Sequence, residues 1–101
     1  VETAAIRVAF GAHAAVLPVS STKVLHGHLL GAAGALEFAI AVEALRGRVL
    51  PPTMHLDVAD PDCDLDYVAG EARAVAPFEA AASNSFAFGG TNAVLVATRA
   101  D

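Results

Sequence analysis

The sequence predicts an α/β domain, helices packed on a mixed β-sheet, from three observations. Glu2 to Phe10 carries Ala5, Ile6, Ala9 and Phe10 at helical spacing; Gly31 to Arg46 is a long apolar run; Ala81 to Phe88 alternates before Gly89-Gly90 and the valine-rich Thr91 to Arg99. The helical and the two-residue periods separate the first two stretches from the third. No internal repeat and no linker interrupts the 101 residues, so 1–101 is expected to be a single domain with one core.

Composition narrows the function classes. Hydrophobic residues make up 55% of the chain and charged residues 17%, too little charge for a comfortable monomer surface. Part of that surface is therefore expected to lie under another chain or under sequence absent here. A net charge of −5 without a basic cluster excludes phosphate-backbone recognition, so no nucleic-acid partner is expected. Cys63 is the single cysteine, which rules out an internal disulfide and fits a reducing compartment. The chain opens Val-Glu-Thr without a basic, apolar leader, and the apolar run Gly31 to Val42 contains Glu37 and is too short to span a bilayer. A soluble cytoplasmic protein, or a piece of one, with no membrane partner is the expectation.

In chain order, the first helix lacks a good cap and Gly11 is placed to close it with a positive φ. Leu17 to Ser21 reads as a short strand, tolerable only at an edge because Pro18 has no N–H. The loop from Ser20 to Leu30 holds the only lysine, Lys23, and two of the four histidines, His26 and His28. It leads into the entrance of the long helix, where unpaired N–H groups favour a neutral imidazole and developing negative charge. That helix is apolar nearly all round and is expected to be buried on most faces. Glu43 and Arg46, three apart, form a solvated pair, whereas Glu37 lies among small and apolar groups and needs a partner, Lys23 or His28 being chemically suitable. Pro51-Pro52 enforces an extended exit, Asp57 to Asp66 is acidic and turn-rich, and short strand pieces follow at Tyr67-Val68 and Ala74 to Ala76. In the closing hairpin Asn84, Phe86 and Phe88 share one face, with Phe86 expected in the core.

Three motifs then carry a family resemblance: Ser-Ser-Thr-Lys at 20–23, Gly-His-Leu-Leu-Gly-Ala-Ala-Gly-Ala at 27–35, and Asn-Ser-Phe-Ala-Phe-Gly-Gly-Thr-Asn at 84–92. Together with Glu2-Thr3-Ala4, Pro51-Pro52-Thr53 and Cys63-Asp64-Leu65-Asp66-Tyr67-Val68, the chain resembles the C-terminal part of a β-ketoacyl-acyl-carrier-protein synthase, an elongating type II condensing enzyme of the thiolase-like superfamily. The resemblance implies a thiolase-like C-terminal half whose first strand lies upstream of Val1. It implies decarboxylative Claisen condensation of an acyl thioester with malonyl-acyl carrier protein in fatty acid biosynthesis. His28 matches the family's second active-site histidine, which donates to the malonyl thioester carbonyl and stabilises the enolate. Lys23 matches the buried lysine that organises charge around the histidines, and Glu37 its acidic partner. Phe88 matches the gating phenylalanine, whose backbone N–H contributes to the oxyanion hole, with Gly89 and Gly90 as its hinge. No cofactor and no metal is implied. The implied partners are acyl carrier protein bearing acyl and malonyl groups, the N-terminal half of the same synthase, and a second copy in a homodimer.

Departures stand beside the match. His26 occupies a position where the family commonly has threonine, and Ala87 one where it commonly has glycine. The family's nucleophilic cysteine and first histidine match nothing in the chain; Cys63 lies in an acidic turn with no base to activate it. The chain by itself is therefore expected to be inactive. Non-catalytic chain-length-factor relatives, which also lack the nucleophile, are the alternative. His26-Gly27-His28 resembles a metal pair but lacks the third and fourth ligands that zinc needs, and His13 and His55 are read as surface residues. A remote alternative is a calcium module: Asp60, Asp62, Asp64 and Glu71 follow a calcium-loop spacing, with Leu65 where that loop needs glycine.

Overall fold

The computed structural model describes residues 1–100 and divides the chain into two compact units. The first comprises Val1–Leu25 and Leu50–Arg73; the second comprises His26–Val49 and the chain from Ala74 onward.

In the first unit, α1 (Glu2–Phe10) begins without a side-chain cap and ends at Gly11, whose φ of 54° and ψ of −131° carry the chain into a 3-10 segment, Gly11–Val16. The positive φ expected of Gly11 is present, in a conformation open to glycine rather than the ordinary left-handed cap. Ile6 and Ala14 are buried, and with Val68, 1% exposed, they form the apolar centre of this unit. Thr3 Oγ1 and Tyr67 OH hydrogen-bond at 2.5 Å, and Arg7 pairs with Asp64 at 2.6 Å, so α1 is tied to the 64–68 segment by polar contacts.

The strand expected over Leu17 to Ser21 is reduced to one parallel bridge, Pro18 to Asp66, with the Val19 N–H donating to the Asp66 carbonyl at 2.7 Å. Proline has no N–H for the ladder, which confines the pairing to its neighbour. The strand piece expected at Tyr67-Val68 is broken by Val68 itself, which has φ 49°. A buried valine in the left-handed region needs outside support. Here the Asp66 carboxylate accepts the Val68 N–H at 3.1 Å, while the Val68 carbonyl accepts from Thr53 N–H at 2.9 Å. A second parallel bridge joins Thr53 to Ala69.

The chain passes between units three times, between Leu25 and His26 inside the short α2 (Lys23–His26), and at β1 (Val49–Leu50) and β2 (Arg73–Ala74), each only two residues long. The second unit is α3 (Ala33–Gly47) on an antiparallel hairpin of β3 (Ala80–Phe86) and β4 (Asn92–Thr98). Its register runs from Ala80 opposite Thr98 to Phe86 opposite Asn92, and the Ala87 N–H closes on the Thr91 carbonyl at 2.9 Å. The fold therefore combines parallel bridges with an antiparallel hairpin, an α/β arrangement as expected. The long helix starts later than its apolar pattern, at Ala33, after a 3-10 turn over Leu30–Ala32. Right-handed backbone resumes only after Leu30, whose φ is 51°, and its first turn is 3-10 rather than α.

Two burial expectations are corrected. Within α3 only Ala33 and Leu45 are buried, although the helix is apolar nearly all round. Phe86 is 52% exposed rather than in the core. The cause is strand alternation: Ser85 faces α3, where its Oγ lies 3.5 Å from the position a Cβ on Gly34 would take, so Phe86 points the other way. On β4, Val94, Leu95 and Val96 are all exposed, at 53%, 49% and 63%, so the described residues leave apolar surface open on both faces of that strand.

Candidate functional site

The loop between α2 (Lys23–His26) and α3 is held by its own side chains. Gly27, just past α2, has φ 84°, a conformation that favours glycine, and turns the chain back on itself. His26 Nδ1 lies 2.7 Å from the Gly27 carbonyl oxygen. A carbonyl only accepts, so this nitrogen carries a proton. Two residues on, the Leu30 N–H donates to His28 Nδ1 at 3.0 Å. That nitrogen is therefore an acceptor, and a neutral His28 holds its proton on Nε2. Leu29, at φ −84° and ψ 12°, turns the following peptide so that this amide points back at His28, and Leu30 itself then takes a left-handed φ of 51°, a strain of about 1–2 kcal/mol for a leucine of the kind that collects at functional loops. His28 is exposed, so its Nε2–H is presented outward as a donor.

The remaining candidates fall in both units. Lys23, half-buried, opens α2 in the first unit. Glu37 lies just over one turn into α3 and is half-buried, and Phe88, Gly89 and Gly90 form the tip of the hairpin, all in the second unit. Phe88 is fully exposed, at 105%, and Gly89 and Gly90 have φ of 77° and 79°, two successive left-handed residues that only glycines supply without strain. Ala87, the departure before Phe88, sits at φ −130° and ψ 168°, extended backbone that alanine adopts freely. Gly34 beside Ser85 fixes how these parts lie. The entrance of α3 abuts the tip end of β3, so the loop that holds His28 and the hairpin tip that holds Phe88 emerge at the same end of the second unit. α3 has no side-chain cap, and its first-turn N–H groups add positive potential there. An open groove of about 330 Å³, lined by Val42, Leu45, Arg46 and Ala97 to Ala100, lies at the opposite end of α3.

Other polar residues are engaged structurally. Glu43 and Arg46 pair at 2.9 Å on the exposed edge of α3, the solvated pair the spacing predicts. Arg73 grips Asp66 with two nitrogens, at 2.5 and 2.9 Å, and Arg7 holds Asp64; these guanidinium hydrogen bonds keep both carboxyls below the usual carboxylate range. Asp64, one of the four acids in the calcium-loop spacing, is thus drawn to Arg7, and Asp60 Oδ1 caps the Asp62 N–H at 2.9 Å. Among the described residues no three His, Cys, Asp or Glu side chains converge as a metal ion requires. Cys63 is exposed, and its N–H closes a turn on Asp60. His13 and His55 are surface residues, His13 lying against Phe10 with ring centroids 6.5 Å apart. What sequence reasoning missed is the Leu30 amide. Nothing in a leucine codon position signals a left-handed residue, though two glycines within five positions, Gly27 and Gly31, mark the loop as tightly turned.

Comparison with known proteins gives a consistent picture. The family described as β-ketoacyl synthase, C-terminal domain, matches residues 1–57. The chain is 53% identical over 98 residues to 3-oxoacyl-[acyl-carrier-protein] synthase 2 of Coxiella burnetii, covering 97% of this chain and 23% of that protein. It is 49% identical over 94 residues to nodulation protein E of Rhizobium meliloti, covering 93% of this chain and 23% of that one. Among solved structures it resembles a chain of AntDE:AntF, a type II polyketide synthase acyl-carrier protein in complex with its ketosynthase bound to the hexaketide, with a TM-score of 0.93, 33% identity, and coverage of 99% of this chain and 24% of that chain. The chain thus spans about a quarter of the length of the relatives it matches. With the family matched over more than half its residues and the thiolase-like ketosynthase fold reproduced throughout, the chain belongs to the β-ketoacyl synthase family, as its C-terminal domain.

Proposed function

We propose that residues 1–101 act together as the C-terminal portion of a 3-oxoacyl-[acyl-carrier-protein] synthase that extends an acyl chain in fatty acid synthesis. The observation that carries this reading is the Leu30 N–H on His28 Nδ1, which leaves Nε2–H as the donor a thioester oxygen needs. In the reaction, the bond from the malonyl α-carbon to its carboxylate breaks, carbon dioxide leaves, and the electron pair becomes an enolate on the thioester. The His28 Nε2–H stabilises the developing oxyanion. The enolate carbon then attacks the acyl thioester carbonyl, a carbon–carbon bond forms, and the thiolate of the nucleophilic cysteine departs.

In this reading Lys23 and Glu37 act as a positioning pair around His28, and the tip at Phe88, Gly89 and Gly90 gates the acyl pocket and supplies an oxyanion-hole N–H. The nucleophile and the first histidine come from the rest of the synthase, so the 101-residue chain is inactive alone. Its partners are acyl carrier protein, the N-terminal half of the synthase and a second synthase copy. No helix among the described residues is long and apolar enough to cross a membrane, and we place the synthase in the cytoplasm. Replacement His28→Ala in the full-length synthase tests the reading. Malonyl decarboxylation is expected to fall by about 10²–10³-fold while acyl transfer to the cysteine is kept; decarboxylation at the parent rate would overturn the role of His28.

A further inference from the structure

We propose that His26 is a positioning residue for His28, acting through the peptide bond between Gly27 and His28. The inference rests on the reading of His28 given above and concerns a residue that the family pattern does not supply. The carbonyl that His26 Nδ1 donates to, at 2.7 Å, belongs to the same rigid peptide plane as the His28 backbone nitrogen. Gly27, at φ 84°, has no side chain to restrict that plane, and a peptide flanked by glycine rotates readily. The imidazole of His26 is therefore the lock on the N-terminal side of His28, as the Leu30 N–H is the lock on its ring. All five residues, 26–30, belong to one unit and one continuous loop, so the device is complete within it. His26 is itself half-buried at the end of α2, which limits the directions its ring can take.

The device predicts a split between the two half-reactions. In the full-length synthase, His26→Phe keeps the ring shape and removes the donor. The kcat for malonyl-thioester decarboxylation is expected to fall about 10-fold, with KM and the rate of acyl transfer within about twofold of the parent. His26→Asn places an amide N–H where Nδ1 was and is expected to recover decarboxylation to within about threefold, whereas His26→Gln, whose N–H reaches the position of Nε2, is expected to behave like His26→Phe. The Asn and Gln pair decides the question if the Phe variant does not fold. Undiminished decarboxylation in His26→Phe, Asn and Gln variants of equal rate, or a parallel loss of acyl transfer would each overturn the proposal. His28→Ala in the same assay separates the two readings. Decarboxylation that survives His28→Ala removes the premise, while decarboxylation lost in His28→Ala and untouched in His26→Phe removes only the positioning role.

Discussion

Val68 shows how one residue's conformation is set by charges several positions away. Its left-handed φ of 49° is held because the Asp66 carboxylate takes its N–H, and Asp66 is itself oriented by both terminal nitrogens of Arg73. The Arg73 hydrogen bond is the chief cause that lowers the Asp66 carboxyl, against an opposing contribution from burial. Because the folded form binds that proton less tightly than the unfolded chain, the stabilisation is complete above the unfolded value of roughly 3.9 and disappears as pH falls through the lowered folded value. The pair is a third to a half exposed, 33% on Asp66 and 45% on Arg73, so solvent screening reduces its weight. Asp66→Asn, which keeps an acceptor for Val68 but loses the charge, is expected to destabilise by about 1 kcal/mol at neutral pH, and the difference from the parent should close as pH falls through the lowered folded value. Urea melts of the two proteins across that pH range measure both parts. Neither the φ of Val68 nor that of Leu30 is legible in the sequence, since valine and leucine disfavour it and the support comes from hydrogen bonds rather than from local propensity.

At the scale of elements, legibility followed periodicity. The hairpin was readable because β3 and β4 alternate on either side of a Gly-Gly turn, and α1 because its apolar residues repeat at helical spacing. α3 starts two residues beyond the Gly31 that its apolar pattern marks, because the turn leading into it is 3-10, which an unbroken apolar pattern does not show. Its end is set by Arg48, which occupies the left-handed cap position at φ 56° and ψ 38° with its N–H on the Ala44 carbonyl. That position is ordinarily glycine's, and an exposed arginine there carries the Cβ penalty without a compensating ion pair among those described. Arg48→Gly is therefore expected to stabilise the protein by about 1 kcal/mol, read as a higher denaturation midpoint at unchanged slope. A lower midpoint would mean that the arginine side chain contributes more than its backbone strain takes away. The sequence singles out Lys23, His28 and Phe88 because each sits in a motif and Glu37 because it is a carboxylate among small and apolar groups, whereas the hydrogen bonds that orient His28 needed coordinates.

For the molecule as a whole, the buried set is small: Ile6, Ala14, Ala33, Leu45 and Val68 with Thr22, among the described residues. Against it stand Val94, Leu95 and Val96 on consecutive positions of β4, exposed on both faces of the strand. Contiguous apolar strand surface of this kind invites pairing and is rarely left open. Under the proposed function, the remaining three-quarters of the synthase or its second copy lies over it. This fits the composition, in which apolar residues outnumber charged ones about threefold. The proposal makes a definite prediction for Val96, 63% exposed here. If β4 faces other parts of the full-length synthase, Val96→Lys buries an unpaired ammonium there and should destabilise the enzyme by about 3 kcal/mol or more, lowering its melting temperature by several degrees. Val96→Thr, of similar shape and β propensity, should be milder. A strand that stays in solvent would accept the lysine with a change within about 0.5 kcal/mol, since charged side chains are common protection on free edges; that outcome would put the cover elsewhere on the chain.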